Sequence, residues 1–271
     1  LFLWTCTKCS YFGGNFMKIN LKRAMGVAFL FFFTFACCNK SNLINGPVGA
    51  HYRRSPVSNS SVYFIIKSDF VEDVTRIDES SESEPKLMLL QQSTGTGTSI
   101  SSNKKYSNII TAGHVCVNYF DIVVSEVQYQ VYDYKGNVTN ADLIAFDRES
   151  DLCLLRIYRP SKPVKISKKN SKSGDMVYYG GYPLGIYSPE SLHHFSGYFS
   201  GSDSNGWSIF TFAAAPGASG SAIVDEYGSL IGVISAVTER FDYMVLGPNL
   251  ERINAFILLS ENCEKFCVET K

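Results

Sequence analysis

From Ser61 onward the chain alternates short runs rich in Val, Ile, Tyr and Thr with clusters of turn-forming residues. Six runs fall at 62–66, 86–91, 108–111, 122–134, 141–146 and 152–158. Six more fall at 176–179, 196–200, 208–213, 222–224, 229–237 and 243–246. Runs this short, with no helical period between them, predict an all-β protein built as antiparallel barrels or a sandwich. A basic, Ser-rich break from Pro160 to Gly174 separates the two sets, so each half of the chain holds about the same number of strands. One segment has a helical period. Leu250, Ile253 and Ile257 stand at i, i+3 and i+7 behind a Gly247-Pro248 start signal, which predicts a C-terminal α-helix.

The first sixty residues follow a different pattern. Met17 to Arg23 is short and basic, and Met25 to Cys38 is then uncharged and strongly apolar. That run is too short to cross a bilayer comfortably but suits the apolar core of a secretory signal, so 17–38 is expected to export the protein. Ala36-Cys37 resembles the end of a lipoprotein signal, which offers a membrane tether through Cys37; plain cleavage nearby is the alternative. The mass of the mature N-terminus distinguishes them. Residues 1–16, with Cys6 and Cys9, are expected to precede the true start at Met17. Residues 39–60 read as a polar linker, 61–160 as a first barrel, and 161–271 as a second barrel with the terminal helix.

Composition changes this picture little. The 271 residues carry 25 Lys+Arg and 25 Asp+Glu, and this balance gives no basic excess for a nucleic-acid partner. The acidic run 78–84 reads as a solvated loop. Export would permit disulfides among Cys116, Cys153, Cys263 and Cys267, but spacing does not decide their pairing.

The candidate chemistry begins at Pro216–Ile223, PGASGSAI, where small residues crowd between two apolar runs. Such a stretch is either a tight turn or a place where something approaches the backbone closely. A serine hydroxyl is a weak nucleophile and needs a base, and the base needs a carboxylate to fix its tautomer. His114, at the end of the β-branched run 109–111, and Asp151, which opens the apolar run 152–155, supply those groups. Each alone reads more readily as a structural or turn residue. Together, in the order His114, Asp151, Ser219, they point to nucleophilic catalysis. Other orders fit poorly: no histidine follows His194, and Ser221 stands where an α/β-hydrolase elbow needs glycine. A serine–lysine dyad would leave His114 unexplained.

TAGHV around His114, Asp147 with Asp151-Leu-Cys-Leu-Leu, Gly174–Val177 leading to Gly181-Tyr-Pro-Leu-Gly185, and GASGSA around Ser219 resemble the trypsin-like serine proteases of the chymotrypsin fold. The high-temperature-requirement and glutamyl endopeptidase branches are the most similar. The resemblance spans about Val62 to Leu258 and implies two six-stranded antiparallel barrels with the active site between them. It further implies an endopeptidase acting on proteins or peptides without metal or organic cofactor, with Gly217 and Ser219 donating to the oxyanion. A catalytically inactive, protease-like binding module is the rival. Two departures stand out. Ala218 replaces the acid that pairs with a new N-terminus in trypsin-type zymogens, and no C-terminal peptide-binding domain is expected after the helix.

The resemblance also places the primary specificity pocket at Ala213, Ser235 and Val237. Ala213 stands at the pocket base, where no carboxylate can pair with Lys or Arg, and the strand from Gly232 lacks the histidine of glutamyl endopeptidases. Val237 narrows the entrance. Cleavage after small or medium aliphatic residues is therefore expected.

Overall fold

A computed structural model describes residues 54–72, 86–118, 124–238 and 241–269. The export segment, Cys6, Cys9, Cys37, His51 and the acidic run lie outside them. Six strands form the first lobe: β1 (Val62–Glu72), β2 (Leu87–Ser102), β3 (Ser107–Ala112), β4 (Glu126–Tyr132), β5 (Val138–Asp147) and β6 (Leu152–Ile157). They close as an antiparallel barrel in the order β1-β2-β3-β6-β5-β4.

The second lobe holds β7 (Met176–Gly181), β8 (His193–Ser202), β9 (Trp207–Thr211), β10 (Ala222–Val224), β11 (Leu230–Val233), β12 (Ala236–Thr238) and β13 (Phe241–Pro248). Its sheet runs β11-β10-β7-β8-β9-β13-β12. Six strands are expected here, and seven are present because the single run 229–237 is divided. Its first half pairs with β10 and its second with β13. Ser235 sits at the bend, its N–H donating to the Leu246 carbonyl at 3.0 Å. One bent segment thus supplies both edges of the sheet.

Period-2 alternation decides how the lobes meet. In β1, Tyr63 and Ile65 point into the first barrel, while Val62 and Phe64 face Tyr178, Tyr182 and Val224 of the second lobe. In β3, Ile109 points inward, and Ile110 joins Leu152, Leu154, Leu230 and Val233 between the lobes. A strand buried on both faces reads as a continuous apolar run, which is the pattern of 62–66. Helix α2 (Leu250–Glu269) seals this contact with Ile253 and Phe256. Asn249 caps it, its Oδ1 accepting from the Arg252 N–H at 2.9 Å. A four-residue helix, α1 (Gly113–Cys116), follows β3.

Of the four candidate cysteines, Cys116 and Cys153 form a disulfide between α1 and β6.

Candidate active site

His114 sits on α1, directly after β3 ends at Ala112, and its side chain is 37 % exposed. Asp151 precedes β6 and is nearly buried. Antiparallel pairing of Ala112 with Leu152 sets these two segments side by side. Three contacts then fix their geometry. The Gly113 N–H donates to the Asp151 carbonyl at 2.9 Å, and the His114 N–H to Asp151 Oδ1 at 2.8 Å. His114 Nδ1 lies 2.8 Å from Asp151 Oδ2. An ionised carboxylate only accepts, so the ring proton belongs on Nδ1 and the Nε2 lone pair is left to act as a base.

Asp151 has φ +49°, in the left-handed region. Asp tolerates that region better than most residues, and a strained position in a cleft is a common feature of functional sites. Ser235 adds a contact that its sequence context does not announce: its hydroxyl donates to Asp151 Oδ2. The hydroxyl of this expected pocket residue is therefore turned to the carboxylate of the first lobe.

Ser219 lies on the loop between β9 and β10, in the turn that begins at Pro216. Gly217 and Gly220 have φ +92° and +84°. A Cβ on Gly217 would stand 2.6 Å from the Tyr182 carbonyl oxygen, and one on Gly220 would overlap Thr111 Oγ1 and the Thr96 carbonyl oxygen. Both positions require glycine for conformation and for space.

Two carbonyls of this turn are held by backbone donors. Pro216 O accepts from the Leu184 N–H at 2.5 Å, and Ala218 O from the Ser221 N–H at 3.0 Å. In a trans peptide the C=O and the next N–H point in opposite directions. These two contacts therefore aim the Gly217 and Ser219 N–H groups away from the supporting backbone, and neither has an acceptor among the described residues. The Ser219 hydroxyl likewise makes no hydrogen bond among them, and catalytic contacts in ligand-free sites are often open.

The remaining expected pocket residues lie in the second lobe. Ala213 is half-buried, and its carbonyl accepts from the Tyr179 hydroxyl at 2.7 Å. Tyr179 is fully buried against Phe195, with ring centroids 4.7 Å apart, and burial pushes its phenol pKa up, so it remains a donor. Val237 packs against the cluster that contains Ala214 and Ala218. His193 and His194 open β8; burial, then the neighbouring His193, lower the His194 pKa. Among the described residues no group of three His, Cys, Asp or Glu side chains is placed to hold a metal ion.

Two β lobes, one offering a His–Asp pair and the other a glycine-braced serine turn, define the architecture of the chymotrypsin-type serine peptidases. The sequence matches the trypsin-like peptidase domain family over residues 95–233, and the chain belongs to that family. No curated protein matches it in sequence. Among solved structures it is similar to a serine endoprotease from Yersinia pestis, with 19% identity and a TM-score of 0.55 over 75% of this chain and 63% of that one. The HtrA-type protease AlgW with a decapeptide gives 21% identity and a TM-score of 0.55 over 74% of this chain and 65% of that one. At such identities the likeness is one of fold. The chain spans less than two thirds of the length of these neighbours.

Proposed function

We propose that the protein is a serine endopeptidase in which Ser219 is the nucleophile, His114 the general base and acid, and Asp151 the group that orients His114. The observation that carries this reading is the His114–Asp151 pair at 2.8 Å together with a serine turn whose Gly217 and Ser219 N–H groups are unclaimed. His114 Nε2 takes the Ser219 proton as Oγ attacks the scissile carbonyl, and the oxyanion forms against those two N–H groups. Collapse expels the amine, which takes the proton back from His114. Water then repeats the sequence on the acyl-enzyme and frees Ser219. Loss of one oxyanion donor typically costs about 3–4 kcal/mol of transition-state stabilisation, so the geometry of this turn bears directly on rate. A fluorophosphonate probe should label the parent protein and leave Ser219→Ala unlabelled. An unlabelled parent would favour the non-cleaving binding module instead.

The substrates are proteins or peptides, cut after small or medium aliphatic residues. Neutral Ala213 and partly buried Val237 support this preference, and Ser235, the one polar side chain of the segment 232–237, gives its hydroxyl proton to Asp151. Discrimination should be shallow, because one methylene in an apolar pocket is worth about 1–3 kcal/mol. A peptide-library digest should give cleavage spread over Ala, Val and Leu. Dominant cleavage after Arg, Lys or Glu would show the pocket to be of another kind.

A further inference from the structure

Thr96 lies in the middle of β2, in Thr94-Gly-Thr-Gly-Thr98, and is wholly buried although its side chain is polar. Buried hydroxyls need partners, and the partners of this one lie in the other lobe. Thr96 Oγ1 donates to the Gly217 carbonyl at 2.9 Å and accepts from the Tyr182 N–H at 3.0 Å. An N–H can only donate, so the hydroxyl proton is committed to Gly217 O. The Thr96 backbone N–H donates to the Ser219 carbonyl at 2.9 Å, and its own carbonyl accepts from Thr111 Oγ1 at 2.7 Å. Thr111 stands three residues before His114.

One residue of the first barrel thus holds two successive odd-numbered carbonyls of the serine turn, at Gly217 and Ser219. The same hydroxyl also fixes Tyr182, where the chain enters the turn Pro183–Gly185. That turn supplies the Leu184 N–H that orients the Pro216–Gly217 peptide, and it does so from a strained backbone, with Leu184 at φ +59°. The strand that leads to His114 is tied to the same point through Thr111. The small residues around it are consistent with this close fit: a Cβ on Gly95 would stand 3.3 Å from the Ser219 carbonyl oxygen.

We infer that Thr96 is a positioning residue that keeps both oxyanion donors in register with the strand leading to His114. Through the Gly217 and Ser219 carbonyls it fixes the peptides on either side of the one that carries the Ser219 N–H, and through Tyr182 it anchors the turn whose Leu184 N–H sets the Gly217 N–H. This role rests on the proposed peptidase reading. Removing the hydroxyl leaves Gly217 O without its donor and Tyr182 N–H without its acceptor, both buried. The Gly217–Ala218 peptide then loses its tie to the first barrel, and the Pro183–Gly185 turn loses its anchor at Tyr182. The neighbouring peptides that carry the Gly217 and Ser219 N–H groups drift from where charge develops in the transition state. The effect belongs to turnover, since ground-state binding does not use these N–H groups to the same degree.

The test compares Thr96→Val, Thr96→Cys and Thr96→Ser with the parent on one peptide substrate, together with the rate of fluorophosphonate labelling and the thermal midpoint. Thr96→Val preserves shape and removes the hydroxyl. Thr96→Cys keeps a weak donor, and covers the case in which the valine variant does not fold. A fall of about 10- to 100-fold in kcat with KM nearly unchanged, a parallel fall in labelling rate, and recovery to within about threefold in Thr96→Ser are expected. Parental kcat and labelling in folded Thr96→Val or Thr96→Cys would overturn the role. So would a loss that Thr96→Ser fails to restore. A parent that the probe does not label at Ser219 would instead remove the peptidase reading, and this role with it.

Discussion

Replacing His114 or Ser219 by Ala should each lower turnover of a peptide substrate by about a millionfold, or roughly 8 kcal/mol of transition-state stabilisation. The two changes should not add, because the base has no proton to take once the hydroxyl is gone and the hydroxyl is inert once the base is gone. Asp151→Asn should cost less, on the order of ten thousandfold. At this position the carboxylate accepts from the His114 N–H, from Nδ1–H and from the Ser235 hydroxyl. An amide must turn its NH2 group toward one of these donors. It then either repels that donor or forces the ring proton onto Nε2, the atom that has to be a base. Steady-state kinetics on the three single variants and the His114→Ala/Ser219→Ala pair would check the pattern. Near-parental activity in His114→Ala would remove the histidine from the mechanism.

The legible and hidden parts of this site differ in physical kind. The groups proposed to react announce themselves through context: His114 follows a β-branched run, Asp151 opens an apolar one, and Ser219 lies among glycines whose positive φ values suit glycine alone. Groups that support the reacting ones do not. Thr96 sits in a Thr-Gly repeat beyond the predicted run 86–91, which β2 extends to Ser102, and its partners lie up to 123 residues away, across the contact between lobes. Ser235 was legible only as a pocket residue, because nothing local shows that the chain bends there and swings its hydroxyl 84 residues back to Asp151. The same bend explains the extra strand. The run 229–237 reads as one stretch, and its division arises from two pairing partners, β10 and β13. Pairing is non-local, and a single-sequence pattern carries only local preference.

Reduction of the Cys116–Cys153 bond should lower the thermal midpoint by about 8–16 °C while leaving kcat within a few-fold of the parent at temperatures well below it. Four cysteines permit three pairings, and spacing does not choose among them. Register does: Thr111 pairs with Cys153, and the chain needs only the turn of α1 to bring Cys116 to it, with Cα atoms 6.4 Å apart. The bond closes a loop of sequence separation 37, for which chain entropy gives about 4 kcal/mol, and each kcal/mol moves the midpoint of a domain this size by about 2–4 °C. Both sulfurs are buried in the first barrel's core beside Ile65, Ile109 and Val131. Cys116 follows His114 by two residues and Cys153 follows Asp151 by two, so the bond also spans the proposed catalytic pair. The separation of stability from rate follows from what else spans it. Gly113 N–H to Asp151 O and His114 N–H to Asp151 Oδ1 hold the same two segments at 2.9 and 2.8 Å without the sulfurs. Cys116→Ala/Cys153→Ala should therefore melt early and cleave normally in the cold. Scanning calorimetry with kinetics at low temperature would check both halves. An unchanged midpoint would show that the loop is not constrained by this bond, and a collapse of kcat in the folded variant would show that the backbone contacts alone do not keep His114 on Asp151.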